Sequence, residues 1–248
     1  LADRLDELLD WASFGLHLTR PWRVVLAGRP NAGKSTLINA LLGYQRAIVF
    51  DQPGTTRDVV TGHTAIDGWP FQFADTAGIR ATTDELEQAG IERAHRTVAS
   101  ADLLCLLLDI SQPATEEDQQ LLDQYGQDRP GQSDRRNGTA VIVVAHKVDL
   151  PNRWSTSLPE DVVAVSSTTG AGIDDLMDRI VNTLVPRVPP AGMPVPVSQR
   201  QVQWLMLARE ALQRGDSEKS VASIRSCLDG VPIETASSSV GVNAQGQS

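Results

Sequence analysis

The sequence is poor in cysteine, in aromatic residues and in positive charge, and it has no long hydrophobic run. Only Cys105 and Cys227 occur, with no Cys-x-x-Cys spacing, which argues against a disulfide framework and predicts two packed thiols in a reducing cytosol. Aromatic residues make up 4%, and 22 Lys+Arg against 31 Asp+Glu leave a net charge of −9. No basic run interleaves with aromatics, so direct nucleic-acid binding by this fragment is disfavoured. The longest apolar runs are strand-sized, short of the ~20 residues of a membrane helix, and no charged-then-apolar leader opens the chain. A soluble, cytoplasmic chain with no membrane partner is expected. It opens at Leu1 rather than Met and reads as a piece excised from something longer. Within 248 residues, a hydrophobic content of 41% suffices for one sizeable core and a smaller appendage.

Residues 1–18 place Leu1, Leu5, Leu8, Leu9, Ala12 and Leu16 on one face, predicting one amphipathic helix. From Trp22 to about Arg187, short apolar strands ("WRVVLA", "LLCLLLDI", "TAVIVVA", "DVVAVSS") alternate with helical segments starting at Lys34, Glu116 and Ile173, which predicts a mostly parallel sheet with helices on both faces. Asp67-Gly68 between "DVVTGHTAI" and "WPFQFAD" is a strong hairpin signal, so one edge strand should run antiparallel. Residues 124–138 are polar and turn-rich, a solvent loop. The expected division is an N-terminal helix at 1–20, the main domain at 21–187, a Pro-rich linker at 188–198, a helical segment at 199–230 (helices 199–213 and 217–228), and a tail at 231–248 low in large apolar groups and expected to be disordered.

"VVLAGRPNAGKST" holds Gly28-x-x-x-x-Gly33-Lys34-Ser35 after a strand and before a helix, the context of a phosphate-binding loop. Backbone N–H groups of Asn31, Ala32, Gly33, Lys34 and Ser35 are placed to wrap a β-phosphate at the helix N-terminus, which Thr36 continues. Lys34 would reach the β- and γ-phosphates and Ser35 would bind Mg²⁺. Asp75-x-x-Gly78 ends the second hairpin strand 40 residues later, with Asp75 toward Mg²⁺ and the Gly78 N–H toward the γ-phosphate. Between them Thr56 in "DQPGTTRD" can complete the Mg²⁺ shell only when a γ-phosphate is present.

In "AHKVD" (145–149), Asp149 can accept from guanine N1 and N2, donors that adenine lacks. Such a match can discriminate by up to ~10⁴. Lys147 belongs to the same stretch. His146 stands where Asn is usual and can keep part of that residue's tie to the phosphate loop through a ring N–H. The expected penalty is at most about tenfold, ~1.4 kcal/mol, without a change of base. Ser166 and Ser167 in "VSSTTGAG" fit the loop whose backbone N–H meets guanine O6, with Ser167 where Ala is usual. After Asp-x-x-Gly stands Ile79, which cannot orient water as a glutamine would. The acids of "ATTDELEQAGIERAH" (Asp84, Glu85, Glu87, Glu92) are alternatives that the pattern alone does not separate.

Together, "GRPNAGKSTLINALLG", "PGTTRDVV", "DTAGIR" and "DELEQAGIERA" resemble the G domain of the bacterial MnmE (TrmE) tRNA-modification GTPases, with Era and Der more distant, over about residues 1–185. The resemblance implies an α/β, Ras-like P-loop GTPase domain with flanking helices. It also implies GTP/GDP, Mg²⁺ and K⁺ as ligands, and Glu87 as the catalytic residue that orients water, acting with Lys34 and Thr56. K⁺ would be held by Asn31 and by the loop positions Phe50, Gln52 and Gly54. The implied partners are the guanine nucleotide, a transient homodimer through the G domains and an MnmG-like protein. The departures are the missing folate-binding domain and the missing terminal Phe-Cys-Ile-Gly-Lys motif, with Cys227 read as structural. A K⁺-stimulated GTPase linked to wobble-uridine modification is the first expectation. A slow-hydrolysing, GTP-dependent binding switch in ribosome assembly or another complex is the second.

Overall fold

The computed structural model describes residues 1–44, 47–49, 61–75, 100–125 and 139–232. In chain order these form α1 (Ala2–Asp10), α2 (Ala12–His17), β1 (Trp22–Ala27), α3 (Lys34–Leu42), β2 (Ala47–Val49), β3 (Thr61–Ile66), β4 (Trp69–Asp75), β5 (Leu103–Asp109), α4 (Glu116–Tyr125), β6 (Ala140–His146), β7 (Val163–Val165), α5 (Ile173–Leu184), α6 (Gln199–Gln213) and α7 (Ser217–Leu228).

Seven strands make one sheet in the order β2-β3-β4-β1-β5-β6-β7. β4, β1, β5, β6 and β7 run parallel, while β3 runs antiparallel to both β4 and β2. The antiparallel strand expected from Asp67-Gly68 is present, with Ile66 opposite Trp69 and positive φ at both turn residues (51° and 85°). This is the backbone that a two-residue turn with right-handed strand twist demands. The three-residue β2 extends the sheet beyond β3.

Every residue of β5 is buried, which explains a nearly unbroken leucine run: a central parallel strand is covered on both faces and has no reason to alternate. On one face Val25, Ala27, Leu104, Leu106, Leu108 and Val143 pack with Leu122 of α4. The opposite face lies under α3 and α5, whose Leu37, Ile38, Leu41, Leu176, Met177 and Ile180 are fully buried. α4 starts with a reciprocal cap, in which Thr115 N and Oγ1 donate to Asp118 Oδ2 and Asp118 N donates back to Thr115 Oγ1. It runs to Tyr125, so Gln124 and Tyr125, expected in the loop, belong to the helix. Residues 126–138 lie outside the described residues.

Contacts divide the chain into Pro21–Pro186 and a second unit, Leu1–Arg20 with Arg187–Ser248. In the second unit Leu5, Trp204, Leu205, Ala208 and Cys227 form a small core with Leu8 and Leu9 against it. Ser198 and Gln201 close a capping box on α6, and Asp216 caps α7 through Lys219 N. The expected single helix over 1–18 is broken at Trp11 (φ −96°, ψ 5°) into α1 and α2, and Leu1 is exposed. At Gly15 a Cβ would collide with Pro196 O, so the bare backbone there admits the proline-rich segment. Burial pushes the Cys105 thiol up to about 12 and raises that of Cys227, so both are packed, unreactive thiols. Among the described residues no helix is long and apolar enough to cross a membrane.

Candidate nucleotide site

The carboxyl ends of β1, β4, β5, β6 and β7 lie along one edge of the sheet, where open α/β sheets place their ligand crevice. Each of these strands delivers a polar group there: the loop after Ala27, then Asp75, Asp109, His146-Lys147 and Ser166.

The loop 28–33 is built on backbone that side chains resist. Gly28 has φ 145°, and a Cβ on it would stand 2.5 Å from Leu107 O. Asn31 (63°) and Gly33 (98°) are also in the left-handed region, which turns successive N–H groups inward as an anion-binding nest leading into α3. Lys34 is buried and its Nζ donates to Gly28 O (2.7 Å) and Arg29 O (2.9 Å), so its charge is held at the loop. Ser35 and Thr36 are exposed on the first turn of α3. Ser35 Oγ donates to Asp75 Oδ2, bringing a hydroxyl at the start of α3 to a buried carboxylate at the end of β4. These are hard oxygen donors of the kind Mg²⁺ takes. Among the described residues no group of three or more His, Cys, Asp or Glu could hold a metal. The pair fits two places in a Mg²⁺ shell of hard oxygen ligands.

On the base side, Asp149 Oδ1 accepts from Ser166 Oγ at 2.6 Å, and the same Oγ accepts from Thr168 N (3.2 Å) and Thr169 N (3.1 Å). Ser166, fully buried, thus fixes one carboxylate oxygen of an exposed Asp149. Gly172 permits this turn, since a Cβ there would strike Ala164 O. His146, 2% exposed, bonds Ala32 O through Nδ1 (2.8 Å) and Ser167 Oγ through Nε2 (2.7 Å). Burial lowers its affinity for a proton, and neighbouring Lys147 lowers it further against the Ala32 carbonyl and the Asp109 and Asp149 charges.

One residue that the sequence reading passed over, Asp109, joins these halves. Asp109 accepts from Lys147 Nζ at 2.7 Å, and the same ammonium donates to Asn31 O at 3.1 Å. Burial disfavours the Asp109 charge, but hydrogen bonds from Lys147 and Ser111 more than offset it and hold the carboxyl below its usual range. Arg29 lies 4.0 Å from Asp109 and 3.5 Å from the fully buried Asp118. The available signal was an acid ending the apolar run "LLCLLLD" at a strand's carboxyl end. The structure thus brings together Asn31, Ala32, Gly33, Lys34, Ser35, Thr36, Asp75, His146, Lys147, Asp149, Ser166 and Ser167. Phe50, Gln52, Gly54, Thr56, Gly78 and Glu87 lie outside the described residues.

Residues 23–147 match the family model described as 50S ribosome-binding GTPase. Among curated proteins, the tRNA modification GTPase MnmE of Acaryochloris marina is 39% identical over 213 residues, 84% of this chain and 44% of that protein. MnmE of Streptococcus pneumoniae strain Hungary19A-6 is 42% identical over 179 residues, 72% and 37% of the two chains. The chain thus spans less than half the length of these relatives. Aquifex aeolicus Era bound to GDP·AlF4⁻ is a structural neighbour with 24% identity and a TM-score of 0.47, covering 77% of this chain and 66% of its own. The T. maritima FeoB G domain has 24% identity and a TM-score of 0.42, covering 66% and 99%. The loop, the strand-end acids and the matched residues lead to one assignment: the chain belongs to the 50S ribosome-binding GTPase family, as a P-loop GTPase similar in sequence to the tRNA modification GTPases MnmE.

Proposed function

We propose that this chain hydrolyses GTP in a K⁺-stimulated reaction for which two G domains meet transiently. In the longer protein to which such a domain belongs, hydrolysis would drive a rearrangement during tRNA wobble-uridine modification with an MnmG-like partner. The observation that carries the nucleotide part is the convergence of Lys34, the Ser35–Asp75 pair and the Ser166-oriented Asp149 on one edge of the sheet. The tRNA part rests on similarity to MnmE.

In this reading the N–H groups of residues 31–35 hold the β-phosphate and Lys34 the β- and γ-phosphates. Asp149 accepts from guanine N1 and N2, and a backbone N–H at Ser167 meets O6. Ser35, Thr56 and Asp75 hold Mg²⁺, and Asn31 with the loop at Phe50, Gln52 and Gly54 holds K⁺. Both ions, when bound, supply positive charge where negative charge gathers on the transferring phosphoryl group. Gly78 contributes an N–H to the γ-phosphate. Glu87 orients the attacking water, the place that Ile79 cannot fill.

The test is GTP turnover in KCl and in NaCl, for this chain and for Glu87→Ala. Faster turnover in K⁺, with a loss of about 10²-fold or more in Glu87→Ala at unchanged GTP affinity, is expected. Equal rates in both salts would remove the K⁺ role. Negligible turnover together with GTP-dependent docking to another protein would replace the enzyme by a binding switch.

A further inference from the structure

Two positions depart from the usual pattern of the base site, His146 where Asn is usual and Ser167 where Ala is usual, and the structure puts them in contact. They are 21 residues apart in sequence, and His146 Nε2 lies 2.7 Å from Ser167 Oγ. We propose that the two form one coupled unit, in which Ser167 is a positioning residue that sets guanine-nucleotide affinity by tying its turn to the phosphate loop through the His146 ring.

The direction of the bonds follows from donor inventory. Ala32 O can only accept, so Nδ1 of His146 carries the proton at 2.8 Å. Burial holds the ring neutral, which leaves Nε2 a bare lone pair, and the Ser167 hydroxyl is the donor it faces. Ser166 cannot replace that donor, because its hydroxyl is committed to Asp149 at 2.6 Å. The imidazole therefore bridges the phosphate loop (Ala32), its own strand end and the turn at 166–169 with a single proton arrangement. It fits only because position 33 is glycine. A Cβ there would be 2.6 Å from Nδ1 and nearer still to Cε1.

A Ser167→Ala change leaves a buried nitrogen without its donor, and an Asn at 146 presents no ring nitrogen to the Ser167 hydroxyl. Ser167→Ala should therefore be costly while His146 is present and cheap once position 146 is Asn. Charged groups near the ring are Lys147, Asp109 and Asp149, and all are retained in these variants.

The inference rests on the proposed guanine site for its affinity readout, so the experiment has two arms. In the nucleotide-free chain, side-chain nitrogen spectra at neutral pH should show His146 with Nδ1 protonated, and Ser167→Ala should shift the Nε2 signal. An Nε2 signal indifferent to Ser167→Ala overturns the bond itself, whatever the chain binds. In the second arm, GDP affinity is measured for the unaltered chain, Ser167→Ala, His146→Asn and the double variant. Ser167→Ala should weaken GDP about fivefold, the scale of one hydrogen bond, and in the His146→Asn background the same change should cost less than twofold. Equal costs in both backgrounds overturn the coupling. No GDP binding by the unaltered chain, with the Nε2 shift present, overturns the guanine site and the affinity role together and leaves only the bond standing.

Discussion

Lys147 Nζ donates to Asp109 Oδ2 at 2.7 Å and to Asn31 O at 3.1 Å, so a residue of the base-recognition stretch is anchored at once to the end of β5 and to the phosphate loop. The Asp109 side chain is 6% exposed and that of Lys147 30%, a geometry in which removing one partner strands the other.

Asp109→Ala should therefore weaken guanine-nucleotide binding about tenfold and lower stability by about 1–3 kcal/mol, the cost of leaving such a charged group without its partner. Asp109→Asn, which keeps the shape and one acceptor, should cost less. Calorimetric titration with GDP and a denaturant curve on each variant check both parts.

Ser166→Ala removes the hydroxyl that holds one oxygen of Asp149. The acceptor for guanine stays but loses its fixed orientation, so GDP affinity should fall by about 1 kcal/mol, roughly fivefold, with little change for the phosphate loop. Competition between GDP and free pyrophosphate separates the two, since only GDP binding should respond.

Gly33→Ala places a methyl against a buried imidazole that is bonded on both sides, at a backbone φ of 98°. Loss of detectable nucleotide binding is expected. Pairing it with His146→Ala relieves the collision but not the backbone strain of about 1–3 kcal/mol, so rescue should be partial. Equilibrium dialysis with labelled GDP reads the series.

His146 has a proton affinity below its ordinary value of 6.5, with burial as the main cause. Between that value and the lowered one, the unfolded chain binds more protons than the folded one, so stability falls as pH falls and is unaffected above about 6.5. Thermal midpoints from pH 8 to pH 5 should decline below 6.5 in the unaltered chain, and less steeply in His146→Asn.

How far the sequence foretold this is clearest at particular residues. The phosphate loop was legible because Gly28, Gly33, Lys34 and Ser35 are demanded by backbone geometry and ligand chemistry within eight positions. Asp67-Gly68 and the limits of the two C-terminal helices were legible for the same local reason, turn and cap chemistry. The break at Trp11 was not, because the helical periodicity of the apolar residues continues straight through it. β2 was missed because three residues carry no period of their own and are strand only by pairing with β3. The Asp109–Lys147 and His146–Ser167 bonds are tertiary, formed where separate strands end on one edge of the sheet. The residue types hinted at them, but only the strand order places them together.

The central claim is that this edge of the sheet is a guanine-nucleotide hydrolysis site. It is tested most directly by phosphate release from GTP and from ATP, side by side, with Mg²⁺ and KCl at equal nucleotide concentration. The account predicts release from GTP at least about a hundredfold faster, within the discrimination a buried hydrogen-bonding match can supply. Equal rates, or a preference for ATP, would contradict it.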